Sequence, residues 1–145
     1  MKNLILFAFT AIISVGYAQS KKNEDVPKMV TQAFEKEYPN TKVSWDIEKD
    51  GGFEAEFKLN GKNASADYNK NGTKLATEIE ITQSELPKAV LTYLSTNHPK
   101  NKIKEVAKII DSKGVITYEA ELKIDGENKD LLFDAKGNFL KMMKG

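Results

Sequence analysis

The chain repeats itself. Val26-Pro27-Lys28-Met29-Val30 returns sixty residues later as Leu86-Pro87-Lys88-Ala89-Val90, and Tyr38-Pro39-Asn40-Thr41-Lys42-Val43 returns as His98-Pro99-Lys100-Asn101-Lys102-Ile103. Farther on the offset is sixty-five. Phe53-Glu54-Ala55-Glu56-Phe57-Lys58-Leu59-Asn60-Gly61 matches Tyr118-Glu119-Ala120-Glu121-Leu122-Lys123-Ile124-Asp125-Gly126. Asn71-Gly72-Thr73-Lys74-Leu75 matches Lys136-Gly137-Asn138-Phe139-Leu140 at the same offset. The second copy therefore carries five extra residues between Ile103 and Tyr118. Matches in one order with a single change of offset mark an internal repeat, which must be found before any fold is assigned. The first unit spans 26–81 and the second 82–145.

Each copy reads as one helix followed by strands. Val26, Met29, Val30, Ala33, Phe34 and Tyr38 recur at helical spacing, with Asp25 as expected N-cap, Pro27 in the first turn and Pro39 as the stop. In the second copy Ser84 is the expected cap. Leu86, Ala89, Val90, Tyr93 and Leu94 form the apolar face, and Pro99 ends the helix. Then the period changes to two. Val43, Trp45 and Ile47 alternate with Ser44, Asp46 and Glu48. Phe53, Ala55, Phe57 and Leu59 alternate with Glu54, Glu56 and Lys58, and Tyr118, Ala120, Leu122 and Ile124 alternate with Glu119, Glu121 and Lys123. Such alternation predicts a sheet with one dry and one wet face. Asn60-Gly61 and Asp125-Gly126 are hairpin turns, and Asp50-Gly51-Gly52, Asn71-Gly72 and Lys136-Gly137 mark further turns. The predicted fold class is α+β: two tandem repeats, each a helix packed on a four-stranded antiparallel sheet. A unit of about sixty residues has a marginal core of its own, so the two are expected to pack together.

The N-terminus carries a different signal. Lys2 is followed by an apolar run from Leu4 to Val15, and Gly16-Tyr17-Ala18 puts small residues where a signal peptidase reads. The run is about twelve residues, short of the ~20 that span a bilayer. Residues 1–18 are therefore expected to be a signal peptide cleaved after Ala18, with 19–25 a polar lead-in and the product periplasmic or secreted. No stable membrane anchor is expected after cleavage. Lysine and arginine number 22 against 21 aspartates and glutamates, and loss of Lys2 takes the formal charge from +1 to zero. That balance argues against a nucleic-acid partner, which selects for basic surplus. There is no cysteine, which excludes disulfides, thiolate nucleophiles, Cys-ligated zinc and a lipoprotein anchor.

The helix opening Val/Leu-Pro-x-x-Val, the strand Tyr/Phe-Glu-Ala-Glu-Leu/Phe-Lys and the segment Phe133-Asp134-Ala135-Lys136-Gly137-Asn138-Phe139-Leu140 together resemble the PepSY-like, or beta-lactamase-inhibitor-like, group of exported proteins. The resemblance runs from Val26 to Met142. It implies a role in binding through the exposed sheet face, since relatives of the fold inhibit secreted proteases or beta-lactamases or act as propeptide-like modules. Here that face reads as charged rather than aromatic, with no cysteine to staple the units.

Local chemistry points the same way. The sole histidine, His98, has Tyr38 as its counterpart and reads as structural. Asn69 to Gly72 and Asp134 to Asn138 lack the spaced carboxylates of a calcium loop and read as tight turns. Trp45 points by parity into the core. Leu131, Leu132 and Phe133 break the alternation, either where the units pack or as an exposed patch. Glu54, Glu56 and Lys58, with Glu119, Glu121 and Lys123, lie at alternate strand positions and so share one face. They read as a solvated face, a metal or acid/base pair, or a partner-facing acidic patch. The last is the hypothesis carried forward. The expected function is an exported, non-catalytic module that binds or inhibits an unidentified secreted or envelope protein, with no cofactor. The alternative is an envelope protein of structural, small-ligand-binding or peptide-binding role. An enzyme working with carboxylates alone is the third reading.

Overall fold

Proline brackets both helices. The structure, a computed structural model, describes residues 25–48 and 50–145. The expected signal peptide and the polar segment up to Glu24 lie outside the described residues. Helix α1 (Lys28–Glu37) starts directly after Pro27, and α2 (Lys88–Asn97) directly after Pro87. Each proline is the N-cap itself, at φ −57° and −54°, close to the ring's fixed value. Its carbonyl accepts the first helical bonds, from Val30 (2.8 Å) and Thr31 (3.2 Å) in α1 and from Val90 (2.9 Å) in α2. Asp25 and Ser84 are therefore not the caps the sequence suggests. The extended ψ of each proline, 138°, carries the chain away before a residue farther upstream can reach back. Ser84 lies instead in a 3-10 turn, Gln83–Glu85, where the Thr82 N–H donates to Glu85 Oε2 at 2.8 Å. Tyr38 and His98 are the C-caps, their N–H groups donating to Phe34 and Leu94.

Four strands follow each helix: β1 (Val43–Ile47), β2 (Phe53–Leu59), β3 (Lys62–Tyr68) and β4 (Lys74–Glu80), then β5 (Ile103–Asp111), β6 (Ile116–Ile124), β7 (Glu127–Asp134) and β8 (Phe139–Lys144). Among the described residues they form one antiparallel sheet of eight strands in sequence order. The two predicted sheets are thus one. They join where β4 meets β5, from Ala76 opposite Asp111 to Glu80 opposite Ala107. The hairpins at Asn60-Gly61 and Asp125-Gly126 have positive φ at both positions, 52° and 83° in the first, 51° and 83° in the second, as two-residue turns of the primed type require.

Register fixes which face each helix covers. Phe57 opposes Ala64, Ala64 opposes Ile79, Ile79 opposes Lys108, Lys108 opposes Tyr118 and Tyr118 opposes Phe133. Residues directly opposite share a face, so this row crosses from β2 to β7 on one side. Phe57 and Ala64 belong to the core under α1, with Val30, Phe34, Trp45 and Tyr68. Phe133 belongs to the core under α2, with Val90, Leu94, Leu122 and Leu131. Both helices therefore lie on the same side. The first core is aromatic, Phe34 meeting Phe57 edge-on at 5.1 Å and Trp45 at 5.6 Å. Trp45 is buried, as its parity suggests. Leu131 and Phe133 point into the second core. Leu132 turns to the opposite face, where it meets Ala76 and Ile109. The alternation is intact, and its outer position holds a leucine buried against the opposite face.

Two glycines set the helices on the sheet. The β3–β4 turn brings Gly72 against the first turn of α1, where a β-carbon would stand 2.6 Å from the Met29 carbonyl oxygen. The β7–β8 turn brings Gly137 against α2, where it would stand 2.9 Å from Ala89 Cβ and 3.1 Å from the Val90 nitrogen. Both have positive φ, 76° and 86°. The turns themselves are tied by side chains: Asn69 Oδ1 accepts from the N–H groups of Asn71 and Thr73, and Asp134 Oδ1 from those of Lys136 and Asn138. Strain and overlap act together, so Gly72→Ala and Gly137→Ala are each expected to cost about 1–3 kcal/mol. Urea unfolding monitored at Trp45 checks this. Substitution at Gly61, which meets nothing within 4 Å, supplies the effect of φ alone.

Candidate functional site

The face away from the helices is built by the other strand parity. β1 contributes Ser44 and Asp46, β2 Glu54, Glu56 and Lys58, β3 Ser65 and Asp67, and β4 Glu78 and Glu80. Register then places Ala107 and Ile109 of β5, Glu119 of β6, Leu132 of β7 and Lys141 of β8 on the same face. Glu54, Glu56, Lys58, Glu119, Glu121 and Lys123 do share one surface. The two acidic pairs are separated by β3, β4 and β5, so they belong to one broad face rather than one site.

This face is not wet where the sequence reading had it wet. Glu54, Glu119 and Glu121 are 5%, 4% and 1% exposed, and Glu56 is half-buried. Only Lys58 and Lys123 are exposed as expected. Asp46 and Ser44, on edge strand β1, are also exposed. The difference follows from the place of these strands in the sheet. Strands β2 and β6 are interior, so each of their carboxylates is flanked by side chains from both neighbours, Glu54 by Asp46 and Asp67, and Glu121 by Glu105 and Asp130.

Burial sets the acid strengths. Desolvation, reinforced by Asp67, raises Glu54 to about 8. Desolvation, with Glu48 and Asp50 beside it, raises Asp67 to about 7. Glu119 is raised to about 8 by desolvation and by Asp130, Glu105 and Glu121. Asp130 is raised to about 6 by desolvation and Glu121, with Lys104 opposing. Glu78 is pushed well up by desolvation and the carboxylates around it. The remaining oxygens are poorly satisfied: Glu78 Oε2, Glu119 Oε2, Glu121 Oε2 and both oxygens of Asp130 are buried without a hydrogen-bond partner among the described residues.

Sequence reasoning missed Asp67, Glu78, Glu105 and Asp130, together with Lys104. Parity along β3 and β7 was there to be read, but these strands have no Glu-x-Glu repeat to draw notice. Lys104 and Glu105 were beyond reach, because a β-bulge in β5 brings both to Glu121. His98 caps α2 beside Tyr93, at a ring distance of 6.2 Å, away from these acids. Among the described residues no three His, Asp or Glu side chains are arranged to hold a metal ion. No described helix is long and apolar enough to cross a membrane.

Carboxylates that hold protons more tightly folded than unfolded link stability to pH in an unusual direction. Between the ordinary carboxylate range and about 8 the native state binds more protons than the unfolded chain, so stability falls as pH rises. The stabilisation is full below about pH 4 and lost as pH climbs through 6 to 8 for Asp130, Asp67, Glu54 and Glu119. The expected outcome is a Tm several degrees higher at about pH 5.5 than at about pH 8.5, with Glu54→Gln and Glu119→Gln each flattening the slope. Calorimetry across that range checks it, and a Tm that rises with pH contradicts it.

The chain matches the family described as "Putative beta-lactamase-inhibitor-like, PepSY-like" over residues 18–73 and 51–141. Solved structures share the fold. A protein from Bacteroides eggerthii described as "putative periplasmic" aligns at TM-score 0.73 and 18% identity, covering 82% of this chain and 88% of its own. A DUF2874 family protein from Bacteroides uniformis aligns at 0.72 and 19%, covering 81% and 88%. A BLIP-like protein from Bacteroides fragilis aligns at 0.64 and 22%, covering 81% and 85%. No curated protein matches the sequence. The α+β sheet and these matches agree, and the chain belongs to the PepSY-like, beta-lactamase-inhibitor-like family.

Proposed function

We propose that this protein is an exported, non-catalytic binding module that engages or inhibits a secreted or envelope protein through the sheet face opposite its helices. In this reading residues 1–18 direct export and are cleaved after Ala18, leaving a periplasmic or secreted product. Units 26–81 and 82–145, each a helix on four strands, stand side by side so that their acidic rows make one broad surface. Glu54, Glu56, Lys58, Glu119, Glu121 and Lys123 are its partner-facing residues.

The observation that supports the reading most is the run of carboxylates from Glu54 to Asp130 on the face away from the helices, several with oxygens that no group among the described residues satisfies. A buried oxygen left unpaired costs about 1–3 kcal/mol, so these positions carry strain in the free protein. Membership of an inhibitor-like family supports binding over catalysis, and a relative described as periplasmic supports the location. A second reading, a small-ligand or peptide binder, draws on a different place. Tyr93 stacks on Phe139 at 4.8 Å to floor a shallow groove between α2 and the Gly137 turn.

Capture tests the first reading. The full chain, expressed with its own N-terminus and immobilised after purification, is exposed to envelope and culture-supernatant proteins at low and moderate salt. The expected result is saturable enrichment of one protein, weakened by salt and by ~10-fold or more in a Glu119→Gln/Glu121→Gln variant. Enrichment that ignores both changes removes the acidic face from the reading. Binding lost on Tyr93→Ala instead transfers it to the groove.

A further inference from the structure

The outer strands of the sheet are β1 and β8. They differ in what they show to solvent. β1 exposes Ser44 and Asp46. β8 exposes Phe139 (38%), Leu140 (45%) and Met142 (49%), three of the five large apolar side chains exposed among the described residues. Register puts Phe139, opposite Phe133, and Met142, opposite Leu131, on the helix side. Phe139 lines the groove floored by Tyr93, and Met142 follows it along the strand. Lys141, opposite Leu132, points to the other face. β4 shows what an edge of this shape accepts. Its pairing with β3 slips register between Asp67 and Tyr68, passing over Leu75, and the pairing of β8 with β7 slips between Leu132 and Phe133, passing over Leu140. The outer edge of β4 carries β5, and the Leu75 carbonyl accepts from the Ser112 N–H at 2.8 Å. The corresponding edge of β8 carries no strand among the described residues.

We propose that the outer edge of β8 takes up an extended segment of a partner as a further strand, and that this segment carries carboxylates between its apolar residues. The inference builds on the groove reading above and is independent of the acidic face. Main-chain hydrogen bonds hold an added strand, and its side chains give the selectivity. Charge names the segment. Lys141 and Lys144 are the only charged residues of β8, with Lys136 in the turn before it and Lys88 at the groove. Lys88, Lys136 and Lys141 make no ion pair among the described residues. Partial burial holds Lys141 below the ordinary lysine range, with no carboxylate to offset it. The acids at the two ends of β7 are engaged. Glu127 holds Lys129 at 2.7 Å and Lys144 at 4.0 Å, and Asp134 accepts from the N–H groups of its own turn. The lysines disfavour a second copy of β8 on this edge, because like charges facing across a ladder destabilise it. An acidic strand meets them with the opposite sign. Its alternate apolar residues find Phe139 and Met142 on the helix side.

The test uses the full chain and a short synthetic peptide of alternating valine and glutamate, measured by titration calorimetry at low salt. The glutamate peptide is expected to bind, and the same peptide with glutamine for glutamate to lose ~10-fold or more. A strand offers its main-chain donors to one neighbour at alternate residues only. Of two further peptides, N-methylated at every valine or at every glutamate, one is therefore expected to lose binding. Lys141→Glu/Lys144→Glu is expected to weaken the glutamate peptide ~10-fold or more, and Lys70→Glu, exposed in the β3–β4 turn, to leave it unchanged. Equal binding of the glutamate and glutamine peptides overturns the proposal whether or not the double variant folds. Full binding of both methylated peptides overturns strand addition. So does self-association of the chain that the peptide cannot displace, which gives the edge to a second copy. Binding lost on Tyr93→Ala but kept in Lys141→Glu/Lys144→Glu overturns the edge and leaves the groove reading standing. Failure of every peptide overturns the edge too, while a captured protein sensitive to Glu119→Gln/Glu121→Gln leaves the acidic face standing.

Discussion

The pairing of β4 with β5 is the contact on which the rest depends. Five residue pairs, Ala76 with Asp111 through Glu80 with Ala107, turn two short sheets into one. A helix on four strands buries too little surface to be robust alone. In the joined sheet β4 and β5 cover each other's edge, and the exposed backbone groups that such edges present are used up in the ladder. The pairing also decides parity. Because Ile79 faces Lys108, both helices fall on one side and all the acidic rows fall on the other.

The separation of the two faces has an energetic consequence. The helix face holds ordinary apolar cores, aromatic under α1 and mainly aliphatic under α2. The opposite face sinks Glu54, Asp67, Glu119, Glu121 and Asp130 below water's reach. Burying carboxylates beside carboxylates is unfavourable, and the protein answers in part by protonation, which is why their acid strengths fall toward neutrality. A chain selected only for stability would replace such groups with apolar ones of similar size.

The glycine turns act at a different level. Gly72 and Gly137 sit in the β3–β4 and β7–β8 turns, and each presses against the first turn of a helix. They hold the helix start at a set distance from the β3–β4 and β7–β8 turns. The Asx-type bonds from Asn69 and Asp134 show that the polar residues of these turns serve the backbone, leaving little capacity for a calcium ion.

Local sequence determined a good deal. Proline positions bounded the helices, the period of two marked the strands, and Asn60-Gly61 and Asp125-Gly126 announced hairpins, because each of these signals acts through nearest neighbours along the chain. Parity likewise put Glu54, Glu56, Glu119 and Glu121 on one face. Tertiary structure alone decided three things. It decided that the sheets join, since strand pairing between units depends on backbone groups that carry no residue code. It decided that Glu54, Glu119 and Glu121 are buried, since burial is set by the neighbours across the ladder rather than by those along it. And it decided that Lys104 and Glu105 meet Glu121, since a bulge shifts register at a point no pattern of alternation reveals.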